Sequence, residues 1–122
     1  MDVFLIRRAA DRDQATSLGE RLRWHDCTPT QIWATGDGVA TAERVAAVIE
    51  AEVAIETRAQ FDLSALAVDA VVVIVADEPA LSALATSLLG IAVVPLAIAE
   101  ALRISDGRLK WRFAWDAVAP VK

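Results

Sequence analysis

Apolar residues fall along this chain in two rhythms. One is the short unbroken run, which suits a strand covered on both faces; the other is the three-to-four spacing of a one-sided helix. The clearest case is the stretch AVVVIVADEPALSALATSLLG, from Ala70 to Gly90. Ala70 to Val75 is a solid apolar run rich in valine, and predicts a strand in the middle of a sheet. A polar corner, Ala76-Asp77-Glu78-Pro79, follows it. Leu81, Leu84, Ala85 and Leu88 then return at helical spacing, with Pro79 suited to the first turn and Gly90 to the end.

The remaining elements read in order. Asp2 to Ile6 (DVFLI) is a first strand ending in Arg7-Arg8. Arg12 to Trp24 is a helix with Ala15, Leu18 and Leu22 on one face and charges on the other. Gln31 to Ala34 is a second strand, and Thr35-Gly36-Asp37-Gly38 a turn. Asp37 caps a helix from Gly38 or Val39 to about Glu52, with Ala42, Val45, Ile49 and Val53 as its stripe. Ala54 to Thr57 is a small strand, and Phe61 to Leu66 a short helix or turn. Leu96 to Ile104 and Arg108 to Trp115 are two strands joined at Asp106-Gly107, a hairpin signal. Helices between strands at this spacing predict an α/β chain: a three-layer α/β/α sandwich around a mainly parallel sheet, closed by a C-terminal β-hairpin.

Composition narrows this. The 122 residues are 56% hydrophobic, which supports one domain, 1–122, with a substantial core. A net charge of -5 argues against a nucleic-acid surface. A lone cysteine, Cys27, and a lone histidine, His25, exclude a disulfide within the chain, a thiolate zinc site and a multi-histidine metal site. Ala80 to Ala99 carries no charge and is long enough to cross a bilayer, but Gly90 and Pro95 interrupt it. It reads as helix, turn and strand, and no membrane partner is expected. The start of the chain lacks the pattern of a signal peptide, so a cytoplasmic, reducing location is expected.

Three stretches carry a family resemblance, in the right order. They are VFLIRRAADRD with QATSLGERLR, then QIWATGDGVATAERVAAVI, then VVVIVADEPALSALATSLLG, the third being the most specific. With the closing hairpin up to WRFAWDAVAP, the chain resembles the histidine phosphatase superfamily (phosphoglycerate-mutase-like), in its small SixA-like branch. The resemblance implies the phosphoglycerate-mutase-like sandwich. It also implies a site where a histidine after the first-strand arginine attacks phosphorus. A second histidine at the later corner and two arginines hold the phosphoryl group.

The matching positions hold other residues. The attacking position is Arg8, whose guanidinium has no lone pair to offer. The second-histidine position is Asp77, the second arginine falls on Asp37, and Arg7 alone is retained. Arg7, Arg8, Asp37 and Asp77 are therefore degenerate positions of the catalytic set, and they are expected to form an internal ion-pair cluster that fills the phosphate site. At Asp77 and Asp37 a helix N-cap is the plainer role. Asp37, Asp77 and Glu78 could cluster around a hard cation, but two arginines beside them oppose it; no metal or cofactor is expected.

These readings predict a protein that is not an enzyme: a catalytically inactive SixA-like pseudophosphatase acting as a protein-binding or regulatory module, with an unidentified protein partner or a homodimer. One alternative is an anion-recognition module using Arg7 and Arg8. Another is a phosphatase of altered mechanism using Asp37 or Asp77. His25 is expected away from the strand ends. Trp111, Phe113 and Trp115 make one face of the last strand aromatic, to be either core or a partner surface.

Overall fold

The computed structural model describes residues 1–117. Its elements are β1 (Asp2–Arg7), α1 (Arg12–Trp24), β2 (Gln31–Ala34), α2 (Val39–Val48), β3 (Ile55–Thr57), β4 (Val71–Ala76), α3 (Ala80–Leu89), β5 (Glu100–Ser105) and β6 (Arg108–Ala114). The last part of the family-like stretch, residues 118–120, lies outside the described residues.

The six strands form one sheet in the order β3-β2-β4-β1-β5-β6. β1, β2 and β3 run parallel to β4 or to one another, and β5 and β6 add an antiparallel edge. Successive side chains of β1 and β4 serve opposite faces, and both faces are covered. Phe4, Ile6, Val73 and Val75 pack with Leu18, Leu22, Ala42 and Val45 of α1 and α2. Val3, Leu5, Val72, Ile74 and Ala76 pack with Leu81 and Ala85 of α3 and with Leu96. Two-sided burial is why β4 reads as a solid apolar run rather than an alternation. The predicted sandwich is the one found.

Several boundaries differ from the sequence reading, each for a local reason. The strand expected from Leu96 begins only at Glu100. Pro95 cannot donate to a ladder, and Ala99 sits at φ 54°, which breaks the extended run. α2 stops at Val48 rather than near Glu52. Glu50 takes the left-handed conformation at φ 55°, and the Glu50 and Ala51 amides donate back to the Ala47 and Ala46 carbonyls. This is a Schellman stop made without glycine, so no sequence signal marked it. Residues 61–66 form turns, not a helix. The Asp-Gly hairpin is as expected: Asp106 and Gly107 both have positive φ, at 51° and 75°.

Trp111, Phe113 and Trp115 are half-buried against the core on the α1 side of the sheet. His25, just past the C-terminus of α1, stacks on Trp111 and Phe113 with ring centroids 4.8 and 5.2 Å away. Among the described residues, no helix is long and apolar enough to cross a membrane. The uncharged stretch from Ala80 to Ala99 is α3 followed by a loop.

Candidate functional site

Topology decides which side chains meet. β1 and β4 are parallel neighbours at the centre of the sheet, in register from Asp2 with Val71 to Arg7 with Ala76. The residues that follow each strand therefore emerge together at the C-terminal edge, where open α/β sheets build their sites. The Arg8 amide donates to the Ala76 carbonyl at 2.9 Å, so the pairing continues into the corner.

There the two arginines close on one carboxylate. Arg7 Nε donates to Asp77 Oδ1 at 2.7 Å, and Arg8 Nε donates to Asp77 Oδ2 at 2.9 Å. Each carboxylate oxygen thus holds one guanidinium, and Oδ1 also accepts from the Glu78 amide at 3.0 Å. The Arg7 and Arg8 hydrogen bonds, with the Glu78 amide behind them, pull the Asp77 carboxyl down to a pKa of about 2. The three side chains are part-exposed, at 27% for Arg7, 42% for Arg8 and 34% for Asp77. Arg7 Nη1 donates to the Leu96 carbonyl at 2.8 Å. Among the described residues, Arg7 Nη2 and both terminal nitrogens of Arg8 have no acceptor. The cluster is two cations and one anion, with open donors facing outward.

The expected four-membered cluster is thus a three-membered one. Asp37 stands exposed in a 3-10 turn, Gly36–Gly38, and joins no ion pair among the described residues. The reason is the backbone beside it. A side chain at Gly38 would bring its Cβ to 2.6 Å from the Val75 carbonyl oxygen, so this turn lies flat against β4 and Asp37 faces solvent. Asp37 is also not the N-cap of α2, a position held by Gly38 without a side-chain bond. Asp77 is likewise not the cap of α3. Its oxygens are taken by the arginines, and Glu78 does the capping, accepting from the Ser82 amide at 3.1 Å and from the Ser82 hydroxyl. Among the described residues no group of three His, Cys, Asp or Glu side chains is placed to hold a metal ion.

The sequence reading gave no supporting role to Glu78, Thr41, Asp11 or Gln14. Glu78 Oε1 also accepts from the Leu96 amide at 3.3 Å, tying the loop before β5 to the corner. The Thr41 hydroxyl, buried in α2, accepts from the Ala9 amide at 3.0 Å and fixes the chain just after Arg8. Asp11 then caps α1 by accepting from the Gln14 amide at 2.9 Å, and Gln14 reaches back to the Ala10 amide. Only this last pairing carried a signal, an aspartate three residues before a glutamine. A cleft of about 510 Å3 opens beside the site between Ala9–Arg12 and the α2 residues Ala40, Thr41 and Arg44.

The other titratable groups lie elsewhere. Asp2 pairs with Arg103 at 3.0 Å near the opposite end of β1. Burial and the nearby Arg103 charge lower the His25 pKa. Burial pushes the Cys27 thiol up to about 12.

This architecture is a phosphoglycerate-mutase-like α/β fold. Comparison with solved structures bears this out. The protein histidine phosphatase SixA, solved with tungstate, matches at a TM-score of 0.77 and 13% identity, covering 94% of this chain and 97% of its own. A phosphoglycerate mutase from Plasmodium falciparum matches at 0.66 and 12% identity, covering 99% and 94%. A mycobacterial glucosyl-3-phosphoglycerate phosphatase, solved with inorganic phosphate, matches at 0.64 and 14% identity, covering 99% of both chains. No protein-family model matches the sequence, and no curated protein matches it. The expectation that this chain is not an enzyme does not stand. The proteins that share its fold include phosphatases, and the fold itself points toward an enzyme.

Proposed function

We propose that this chain recognises the phosphoryl group of a phosphorylated protein through Arg7 and Arg8. The observation that carries the reading is the pair of guanidiniums at the ends of the central strands, with terminal nitrogens open to solvent and one carboxylate between them. Arginine presents planar, paired donors that suit phosphate oxygens, and a tetrahedral oxyanion can take a donor from each of two guanidiniums. The neighbours support the choice of ligand. One is a protein histidine phosphatase holding tungstate, a tetrahedral oxyanion, and another holds inorganic phosphate.

The carboxylate between the arginines does not prevent this. The Glu78 carboxylate is taken up by the Ser82 and Leu96 amides, so an arriving phosphoryl group competes with Asp77 alone for the guanidinium donors. Binding therefore exchanges an internal ion pair for an external one.

The test is a melting-temperature titration with inorganic phosphate and with vanadate. A ligand at ten times its Kd that binds only the folded state adds about 1.4 kcal/mol of stability. At this chain length that raises Tm by roughly 4–7 °C. The wild type is expected to show this rise, and Arg7→Ala with Arg8→Ala to lose it. A wild-type Tm that stays flat up to tens of millimolar phosphate overturns the reading. Incubation with a phosphorylated protein, followed by a phosphate-release assay, measures turnover directly.

A further inference from the structure

Beside the arginines runs a loop with an unusual division of its groups. From Pro79 to Ala99 the chain carries no charge, and the last part of that stretch returns from the end of α3 to the site. Several of its peptide groups already have partners within the chain. The Leu96 carbonyl accepts from Arg7 Nη1 at 2.8 Å and the Leu96 amide donates to Glu78. The Val94 and Pro95 carbonyls accept from Arg112 Nη1 and Nη2, both at 2.8 Å. The Ala99 amide donates to the Arg8 carbonyl at 3.3 Å. The Leu96 side chain is sunk in the core. What this leaves outside is aliphatic: Val94 is 72% exposed and Ile98 42%, with Pro95 and Ala97 exposed beside them. A loop built only for solubility would turn its peptide groups to water and its methyl groups in.

We infer that the shelf from Val94 to Ile98 is the second half of the recognition surface, and that the partner is a protein segment with apolar side chains next to its phosphoryl group. The inference rests on the reading of Arg7 and Arg8 as the phosphoryl site. Arg7 donates both to Asp77 and to the shelf, so an extended segment with its phosphoryl group on Arg7 passes over the shelf within a residue or two, at about 3.4 Å per residue. The hydroxyls of a sugar phosphate would find no free acceptor among the Val94, Pro95 and Leu96 carbonyls of the shelf, which are already engaged. A lipid phosphate in an anionic bilayer is opposed by the chain's net charge of -5. A phosphorylated segment of low further charge meets both halves: oxyanion on arginine, side chains on valine and isoleucine.

The experiment compares two phosphoserine peptides of equal charge by fluorescence titration. One has Leu and Val on both sides of the phosphoserine, the other Ser and Gly. The wild type is expected to bind the apolar-flanked peptide at least tenfold more tightly. In the double variant Val94→Ser, Ile98→Ser the two affinities are expected to converge, while the Tm rise with inorganic phosphate stays at its wild-type value. Wild-type protein that does not discriminate, or a double variant that keeps the preference, overturns the inference. So does a shelf that is needed for anionic vesicle binding, or for self-association by sedimentation, without any peptide preference. Phosphate that fails to raise Tm overturns the arginine reading and this one with it. Phosphate binding without peptide discrimination overturns the shelf alone.

Discussion

Asp77 holds two guanidiniums with one carboxylate, so Asp77→Asn moves stability and phosphate affinity in opposite directions. The stability effect comes from the carboxyl's fall from 3.8 to about 2 on folding. Each pKa unit corresponds to about 1.4 kcal/mol, so the whole shift would be roughly 2.4 kcal/mol. Asp77 is a third exposed and solvent screens its pairs, which brings the expected loss down to about 1 kcal/mol. In a chain of this length that lowers Tm by roughly 3–5 °C. The sign of the pH dependence follows from the depressed pKa. The contribution is complete above the unfolded value of 3.8 and is lost as pH falls through about 2. The gap between wild type and Asp77→Asn should therefore be full at pH 7 and pH 5, smaller at pH 3 and closed near pH 2.

The affinity effect has the other sign. Asparagine keeps one oxygen that can accept from one guanidinium, so the substitution frees one Nε donor and removes a negative charge from the corner. Phosphate should then bind several-fold more tightly, about 1 kcal/mol by the same screened estimate. Urea unfolding followed by tryptophan fluorescence across pH gives the first quantity, and the Tm titration with phosphate gives the second. A stability gap that persists unchanged to pH 2 would show that the ion pairs are not its source. Phosphate affinity that falls in Asp77→Asn would show that the carboxylate positions the arginines rather than competing for them.

Other perturbations test the supports around the site. Gly38→Ala places a methyl group 2.6 Å from the Val75 carbonyl oxygen, a backbone atom that cannot swing away; a loss of about 1–3 kcal/mol is expected in urea unfolding, and wild-type stability would refute the close approach. Glu78→Ala removes the acceptor for the Ser82 and Leu96 amides; it should cost about 1 kcal/mol, with faster hydrogen exchange at both amides, and unchanged exchange at Leu96 would refute its role in holding the loop. Cys27 is buried and its thiol is raised to about 12, so a maleimide should label it only after unfolding; rapid labelling of the native protein at pH 8 would refute that placement.

Much of the fold was legible because its signals are local. The bounds of α1 and β2 could be read from the chain, since a one-sided apolar stripe makes the one and a short apolar run makes the other. The run before Asp77 announced a strand with two covered faces, and the packing of Val72 against α3 and Val73 against α1 and α2 is the cause. What stayed hidden depends on contacts distant in sequence. No pattern marks Glu50 as a left-handed helix stop, or couples Arg112 to the carbonyls of Val94 and Pro95. The candidate site divides the same way. Arg7, Arg8 and Asp77 could be grouped because parallel strands deliver their ends to one edge. Asp37 comes from that same edge, but the flat passage of Gly38 over β4 turns it outward, a contact with Val75 that is distant in sequence.

Placement and chemistry are thus set by different layers of the molecule. The β1–β4 register would bring any two residues at positions 7 and 77 together, whatever their side chains. The fold therefore guarantees a meeting point, while the residues decide what meets there. Here two guanidiniums share one carboxylate, and a third interaction, from Arg7 to Leu96, links that corner to an exposed aliphatic loop. An incoming phosphoryl group must displace Asp77 from Arg7 or accept its remaining donors. Either route acts on a guanidinium that also holds the Leu96 carbonyl. Occupancy of the corner and the position of the shelf are coupled through Arg7, alongside the Glu78 tie to the Leu96 amide, so substituting Arg7 should disturb both, whereas substituting Arg8 should disturb only the first.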